Sequence, residues 1–268
     1  MTFCKLSSYY QGDDNVMKTQ RYQQGSAIVE HIIAWPILVL ITLGSIQMGM
    51  LYKAKLTLNH ATFQAAREGA VNYGHGKCIG CADSGLKKMK SKLGDAMAPL
   101  YLKKDPNLVS YGLAQALSRT AANLTDPIEI ISPTRRIFNA FKKPTFILQC
   151  DNRTPPVCRE RRQVQIPNDN LNARDTANKS VGGVRINIQD ANLLKIKSSW
   201  CYPLEIPVAN LIIYELSRFS LLNPTTFDSR KIACQGAALA AGALAGKTMY
   251  MIPISSTSTV QMQTPFIW

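Results

Sequence analysis

With 268 residues the chain is long enough to bury a core of its own, and a composition of 46% hydrophobic and 18% charged residues excludes an intrinsically disordered polymer. The formal net charge of +14 favours acidic partners, but the cations are dispersed as pairs (Lys87-Lys88, Lys103-Lys104, Arg135-Arg136, Lys142-Lys143, Arg161-Arg162), the pattern of several solvated faces. No homeodomain, zinc-finger or RNP-type signature accompanies them, so a dedicated nucleic-acid groove is not indicated.

In chain order, the first feature is "QRYQQGSAIVEHIIAWPILVLITLGSIQMGMLY", residues 20 to 52. Its apolar stretch has Ala27 and Leu51 at its ends and contains Trp35 and Pro36. It exceeds the ~7–15 residues of a cleavable signal and meets the ~20 needed to cross a bilayer as a helix. Thr42, Ser45 and Gln47 dilute its second half, although Thr and Ser can bond back to helix carbonyls. Pro36 is expected to bend the helix.

The helical spacing continues through "KAKLTLNHATFQAAREGAVNY", with Leu56, Phe63, Ala66 and Ala70 on one pattern, and stops at Gly74 and Gly76. The sequence therefore predicts one helix from about residue 26 to residue 73, roughly 70 Å long at about 1.5 Å per residue. Half of it would lie in lipid and half would project to carry a domain.

Beyond residue 76, segments 84 to 103 and 107 to 124 have helical periodicity. Strands are expected at 128 to 131 and 145 to 149, separated by "SPTRRIFNAFK", where Ser132 before Pro133 is a helix-start signal. The alternating stretch from 184 to 202 reads as strands, 208 to 219 as a helix, and "MIPISSTSTVQMQTP" as a closing strand. "CDNRTPPVC" reads as a stapled surface loop and "VQIPNDNLNARDTANKSVGG" as a long exposed one. The class expected is α+β, an antiparallel sheet packed with helices on the long N-terminal helix.

Of seven cysteines, Cys4 precedes the apolar segment and six follow it: Cys78, Cys81, Cys150, Cys158, Cys201 and Cys234. An even set on one side of a membrane segment points to disulfides in an oxidising compartment, with 15 connectivities open. Pairing nearest neighbours would join Cys78 with Cys81, Cys150 with Cys158 and Cys201 with Cys234. The cysteines also set the orientation, N-terminus in the cytoplasm and C-terminal domain outside, because the positive-inside bias around the span is neutral or adverse. "CIGC" has two rival readings. As a zinc site it lacks a second Cys or His pair at finger spacing, although His75 stands nearby; as a redox pair it follows a helix end instead of opening a helix.

Other chemistry-bearing patterns are weak. "AGALAGKT", residues 241 to 248, has Ala241 where a phosphate-binding loop needs glycine, and no apolar strand precedes it. "NLT" at Asn123 fits a glycosylation acceptor. The three histidines, His31, His60 and His75, are spaced for neither a catalytic triad nor a metal centre. No catalytic residue, metal or cofactor is expected.

One carboxylate stands out. Glu30 sits at the mouth of the apolar helix, where a charge is costly, about 2.5–3.5 kcal/mol at a helix centre. It is the fifth residue after Gly25 in the order Ser26, Ala27, Ile28, Val29, Glu30. This resembles the type IV prepilin processing signal. Together with the Pro-containing apolar helix and the following "HATFQAAREGAVNY", it resembles the TadE-like pseudopilins of the tight-adherence (Tad/Flp) pilus systems. "QIPNDNL" (165 to 171) and "WCYPLEIPVANLI" (200 to 212) also look like the longer members. His31 departs from the pattern, which usually has an apolar or aromatic residue there.

The resemblance implies a cytoplasmic leader (1–25), a membrane helix (26–52), its periplasmic continuation (53–73) and a periplasmic domain (74–268). A prepilin peptidase would cut between Gly25 and Ser26, and the new amine of Ser26 would pair with Glu30 of its own or a neighbouring subunit. The further partners implied are the major pilin, other minor pilins and inner-membrane platform proteins of a bacterium, with no catalysis by this chain. The rival from a different class is a single-pass periplasmic protein whose basic surface holds DNA or anionic envelope polymers, with Glu30 incidental. A membrane-tethered enzyme would need a nucleophile–base pair, which the sequence does not offer.

Overall fold

The computed structural model describes residues 14–72, 85–102, 108–125, 127–150, 157–174, 177–219, 229–246 and 248–267. Its first element, α1, is a 59-residue helix, Asp14–Asn72, that runs without interruption through Pro36. The helix begins about three turns earlier than the pattern predicts, at Asp14 and not near residue 26. The reason is local: "DNVMKTQRYQQ" is made mostly of good helix formers and has no proline or glycine before Gly25.

The second half of α1 is the spine of an α+β body. Helices α2 (Gly85–Met97) and α3 (Leu108–Thr125) stack outward from it, joined through a 3-10 turn at Ala98–Tyr101. Strand β1 (Ile128–Ser132) pairs antiparallel with β6 (Leu193–Leu204), which pairs antiparallel with β7 (Tyr250–Gln261), so β6 is central in a three-stranded sheet. Between them come α4 (Arg135–Phe141), the hairpin of β2 (Lys143–Cys150) and β3 (Cys158–Gln165), the hairpin of β4 (Lys179–Val181) and β5 (Val184–Ile186), and the single turn α5 (Ile188–Ala191). Helices α6 (Ala209–Phe219) and α7 (Ser229–Ala245) separate β6 from β7.

β6 shows why the sheet needs α1. Leu194, Ile196, Ser198, Trp200, Tyr202 and Leu204 alternate with exposed or half-exposed positions such as Lys195 and Lys197, so one face is apolar and must be covered. α1 supplies Ala54, Leu58, Ala61, Thr62, Ala65, Ala66 and Ala70, all buried and at helical spacing. Most are small, which lets the helix axis lie close to the sheet. Gly69 continues the stripe: a Cβ there would come within 2.9 Å of Leu194 Cδ2 and 2.7 Å of Met89 Sδ. Met89, Leu93 and Met97 close the core from α2.

Polar groups in this seam are paired. Thr62 Oγ1 donates to the Leu58 carbonyl (2.6 Å) and so is left to accept from Ser198 Oγ, a short hydroxyl contact between α1 and β6. The end of α1 is capped by the chain after β7, where Gln263 N and Thr264 N both donate to Ala70 O at 3.0 and 3.1 Å. Farther along that segment Phe266 is buried edge-on against Phe138, and its carbonyl accepts from Ile166 N.

Several expectations are corrected. "CRERRQVQ", with its ends expected in loops and its middle assigned no element, is strand β3, paired along its length with β2. Within 184 to 202 the expected strands are present as β5 and β6; what the pattern does not show is the single turn α5 between them, held by the reciprocal capping box of Asn187 and Asp190. Thr134, not Ser132, caps α4 by accepting from Ile137 N. Residues 241 to 246 of "AGALAGKT" agree with the sequence reading against a phosphate-binding loop: they are the end of α7 and its turn at Gly246, φ +63°, and so follow a helix where such a loop would precede one.

Replacing Thr62 with Val keeps the shape but leaves the Ser198 hydroxyl buried without its acceptor. Thr62→Val is expected to cost about 1–3 kcal/mol. Adding Ser198→Ala is expected to restore part of the loss, as read by thermal unfolding of the detergent-solubilised protein.

Candidate functional site

The candidate site is the first two-thirds of α1 and the place where the domain grips it. Gly25 and Ser26 both lie within α1, in helical and not extended backbone. Glu30 is exposed on the same helix, one turn beyond Ser26. Positions four apart share a helix face, so Ser26 and Glu30 fall on the same face of α1. No partner for Glu30 is found among the described residues. His31 reaches the next turn instead, its ring 6.0 Å from that of Trp35.

From Ile28 to Met50 nearly every large apolar side chain of α1 points away from the protein; Trp35, for example, is 57% exposed. Only 6% of the most apolar window of this helix is buried, which separates it from the core helix of a soluble domain. α1 is the only helix among the described residues long and apolar enough to cross a membrane. Thr42 and Ser45 hydroxyls bond to the carbonyls of Val39 and Thr42, each at 2.8 Å, as expected for such residues in an apolar helix.

Gln47 behaves differently. It is fully buried, and its Oε1 accepts from Ile206 N at 3.0 Å. Its Nε2 finds no partner among the described residues. Ile206 belongs to the stretch 200 to 212, and that stretch builds the whole base of the domain. Trp200 Nε1 donates to Tyr101 Oη at 3.0 Å. Cys201 is joined to Cys234 of α7, 33 residues away, a closure worth about 3–4 kcal/mol in chain entropy. Pro207, Val208 and Ala209 then turn into α6, which packs on α1 and, through Tyr214 against Tyr250, on β7. The significance of Gln47 is missed by composition alone. The available signal is that a lone amide in an apolar run requires a bonding partner.

The Cys201 to Cys234 bond matches one of the three expected pairs. Cys158 is also disulfide-bonded, and it stands opposite Cys150 in the β2–β3 ladder. Cys78 and Cys81, with His75, lie outside the described residues. No cluster of three or more potential metal ligands occurs among the described residues.

Residues 25–67 match the family described as TadE-like protein. The chain carries a TadE-like segment. It starts at Gly25, contains Ser26 and Glu30, and ends at Arg67 inside the helical stripe that packs on the sheet. The rest of the domain, including the stretches 165 to 171 and 200 to 212, lies beyond the match. No curated protein and no solved structure matches the chain.

Gln47→Ala removes the acceptor for Ile206 N and the packing of the amide. It is expected to lower stability by about 1–3 kcal/mol and to expose the α6 end of the domain to protease before the rest. A second test uses pH. Burial pushes the Tyr101 phenol above its usual range, a shift partly opposed by the bond from Trp200, and burial with the nearby Glu205 carboxylate does the same to Tyr202. The folded state therefore holds these protons more tightly than the unfolded chain. The stability this provides is complete below the ordinary phenol value of about 10 and falls as pH rises above it. Tyr101→Phe is expected to flatten that alkaline decline, in melting curves taken between neutral and alkaline pH.

Proposed function

We propose that this chain is a minor pilin or pseudopilin of a Tad (Flp) type IV-like pilus, held in the bacterial inner membrane by α1 until assembly, with its C-terminal domain in the periplasm. The observation that carries the reading is the TadE-like match at residues 25–67, falling on an exposed apolar helix with Glu30 near its start. The chain would be a substrate of a prepilin peptidase and a non-enzymatic partner of the major pilin, other minor pilins and the inner-membrane platform. A role in priming the fibre or capping its tip suits a domain much bulkier than a thin fibre could repeat.

The helix explains how cleavage would change Glu30. In the uncut chain Glu30 is about four turns inside a helix that begins at Asp14. A cut between Gly25 and Ser26 would place it near the first turn of a new helix, where the unsatisfied N–H groups and the new amine both favour a negative charge. Gly25 is the weakest helix former nearby, which helps a peptidase open the backbone at that bond. The same charge pair, made between neighbouring subunits, would set their register, because a slipped neighbour leaves an ion unpaired in lipid.

Intact-mass analysis of the protein from its native membrane is expected to show a chain beginning at Ser26; a chain beginning at Met1 would remove the pseudopilin reading. Glu30→Ala is expected to leave the protein in the membrane but cut its recovery in sheared fibres by about tenfold or more. Unchanged maturation and unchanged fibres would count against the role given to Glu30.

A second reading has one feature in its favour. The β2–β3 hairpin forms a sheet of its own, with Lys143, Arg159 and Arg162 exposed along it. Salt-sensitive binding of DNA or an anionic glycan, lost on replacing these three cations, by a chain that retains its first 25 residues would favour a basic periplasmic binding protein.

A further inference from the structure

We propose that α6 lies in the surface of the bilayer that α1 crosses, so that the protein holds the membrane with two elements. The inference rests on the membrane-spanning reading of α1 and adds to it a second lipid contact from the folded domain.

Position comes first. α6 packs on α1, and the turn that leads into it is fixed to α1 by the Ile206 N to Gln47 Oε1 bond. A span that starts at Ala27 reaches Gln47 after about 20 residues, or ~30 Å of helix, which is the thickness of the hydrocarbon core. The base of the domain therefore meets α1 at the outer edge of the bilayer, and α6 is at that level.

The chemistry of α6 suits that place. Its inner side uses Ala209, which is buried, with Ile212, Ile213 and Tyr214 half-buried. Its outer side still carries apolar residues: Val208 is 60% exposed, Leu211 50% and Leu216 66%. Glu215 is exposed on that outer side, which places its carboxylate at the headgroup level while the helix lies flat. The outer side is continuous with a surface already assigned to lipid, since α1 exposes Ile46, Met48 and Met50 around Gln47.

The entry turn adds an independent sign. Ala209 N donates to Pro207 O at 2.8 Å, closing a three-residue turn with Val208 at φ +68°. This is a strained conformation for a β-branched residue, and it holds an exposed valine at the head of the helix. The charged residues from 205 to the end of α6 are Glu205, Glu215 and Arg218, with no excess of cations. The attraction is therefore apolar insertion to about 5–10 Å depth, and a zwitterionic phospholipid is sufficient.

The test uses the full chain in phosphatidylcholine vesicles whose acyl chains carry bromine at defined depths, with tryptophan fluorescence as the readout. Leu211→Trp and Leu216→Trp are each expected to add blue-shifted emission, quenched most by bromine near the headgroup end. Phe146→Trp is the control, because the β2–β3 hairpin runs back to Ile166, whose N–H meets Phe266 in the segment that caps the far end of α1. It is expected to stay water-like and unquenched. Water-like emission from both α6 variants, while native Trp35 is quenched, overturns the inference and leaves the span intact. Equal quenching of all three variants also overturns it, as general adhesion to the vesicle. If Trp35 itself is not quenched, the membrane span fails and this inference with it.

Discussion

The structure depends on how closely α1 can approach β6. A sheet with one apolar face needs a cover, and a helix of ordinary bulk would hold the two apart and leave voids beside the central strand. The run Ala54, Leu58, Ala61, Thr62, Ala65, Ala66, Gly69 and Ala70 solves this with mostly small side chains on one face. Because those residues belong to the same helix as the exposed apolar run of membrane-spanning type, the core of the domain and that run are one continuous element. A linker between them would let the domain tumble. Here the anchor and the core cannot move separately without opening the seam.

Three contacts hold that arrangement along its length. Gln47 binds the backbone of Ile206 near the membrane, Thr62 meets Ser198 midway, and Ala70 accepts two backbone N–H groups and a hydroxyl at the far end. The TadE-like match ends at Arg67, so it covers the membrane half and most of the stripe but none of the sheet that packs on it. The side of α1 opposite the stripe is mixed after Met50, with Tyr52, Leu56, Phe63 and Val71 exposed beside Lys53, His60 and Arg67, whose guanidinium lies over the Phe63 ring.

Much of this was legible before any coordinates. The apolar run, the helical spacing through Ala70 and the alternation in β6 each follow from one strong periodicity, and the structure keeps all three. The failures share a cause, which is that tertiary context decided where local pattern was weak. The arginine-rich middle of β3 carries no strand signal of its own, yet it forms a strand because β2 offers it a full antiparallel ladder. α7 has the run "AALAAGALA", whose uniform small residues give no amphipathic signal, although alanine favours helix. Within the candidate site Ser26 and Glu30 were visible as a spacing. The importance of Gln47 was not, because it depends on a backbone N–H 159 residues away.

The central claim, that the membrane anchor and the domain core are a single cooperative helix, is tested most directly by hydrogen exchange on the protein reconstituted in lipid nanodiscs. The amides from Ala54 to Ala70 are predicted to exchange only with global unfolding, at the same slow rate as those of β6. Fast exchange of that segment, while β6 and the bilayer-embedded turns stay protected, would show a hinge where the account requires a rigid spine.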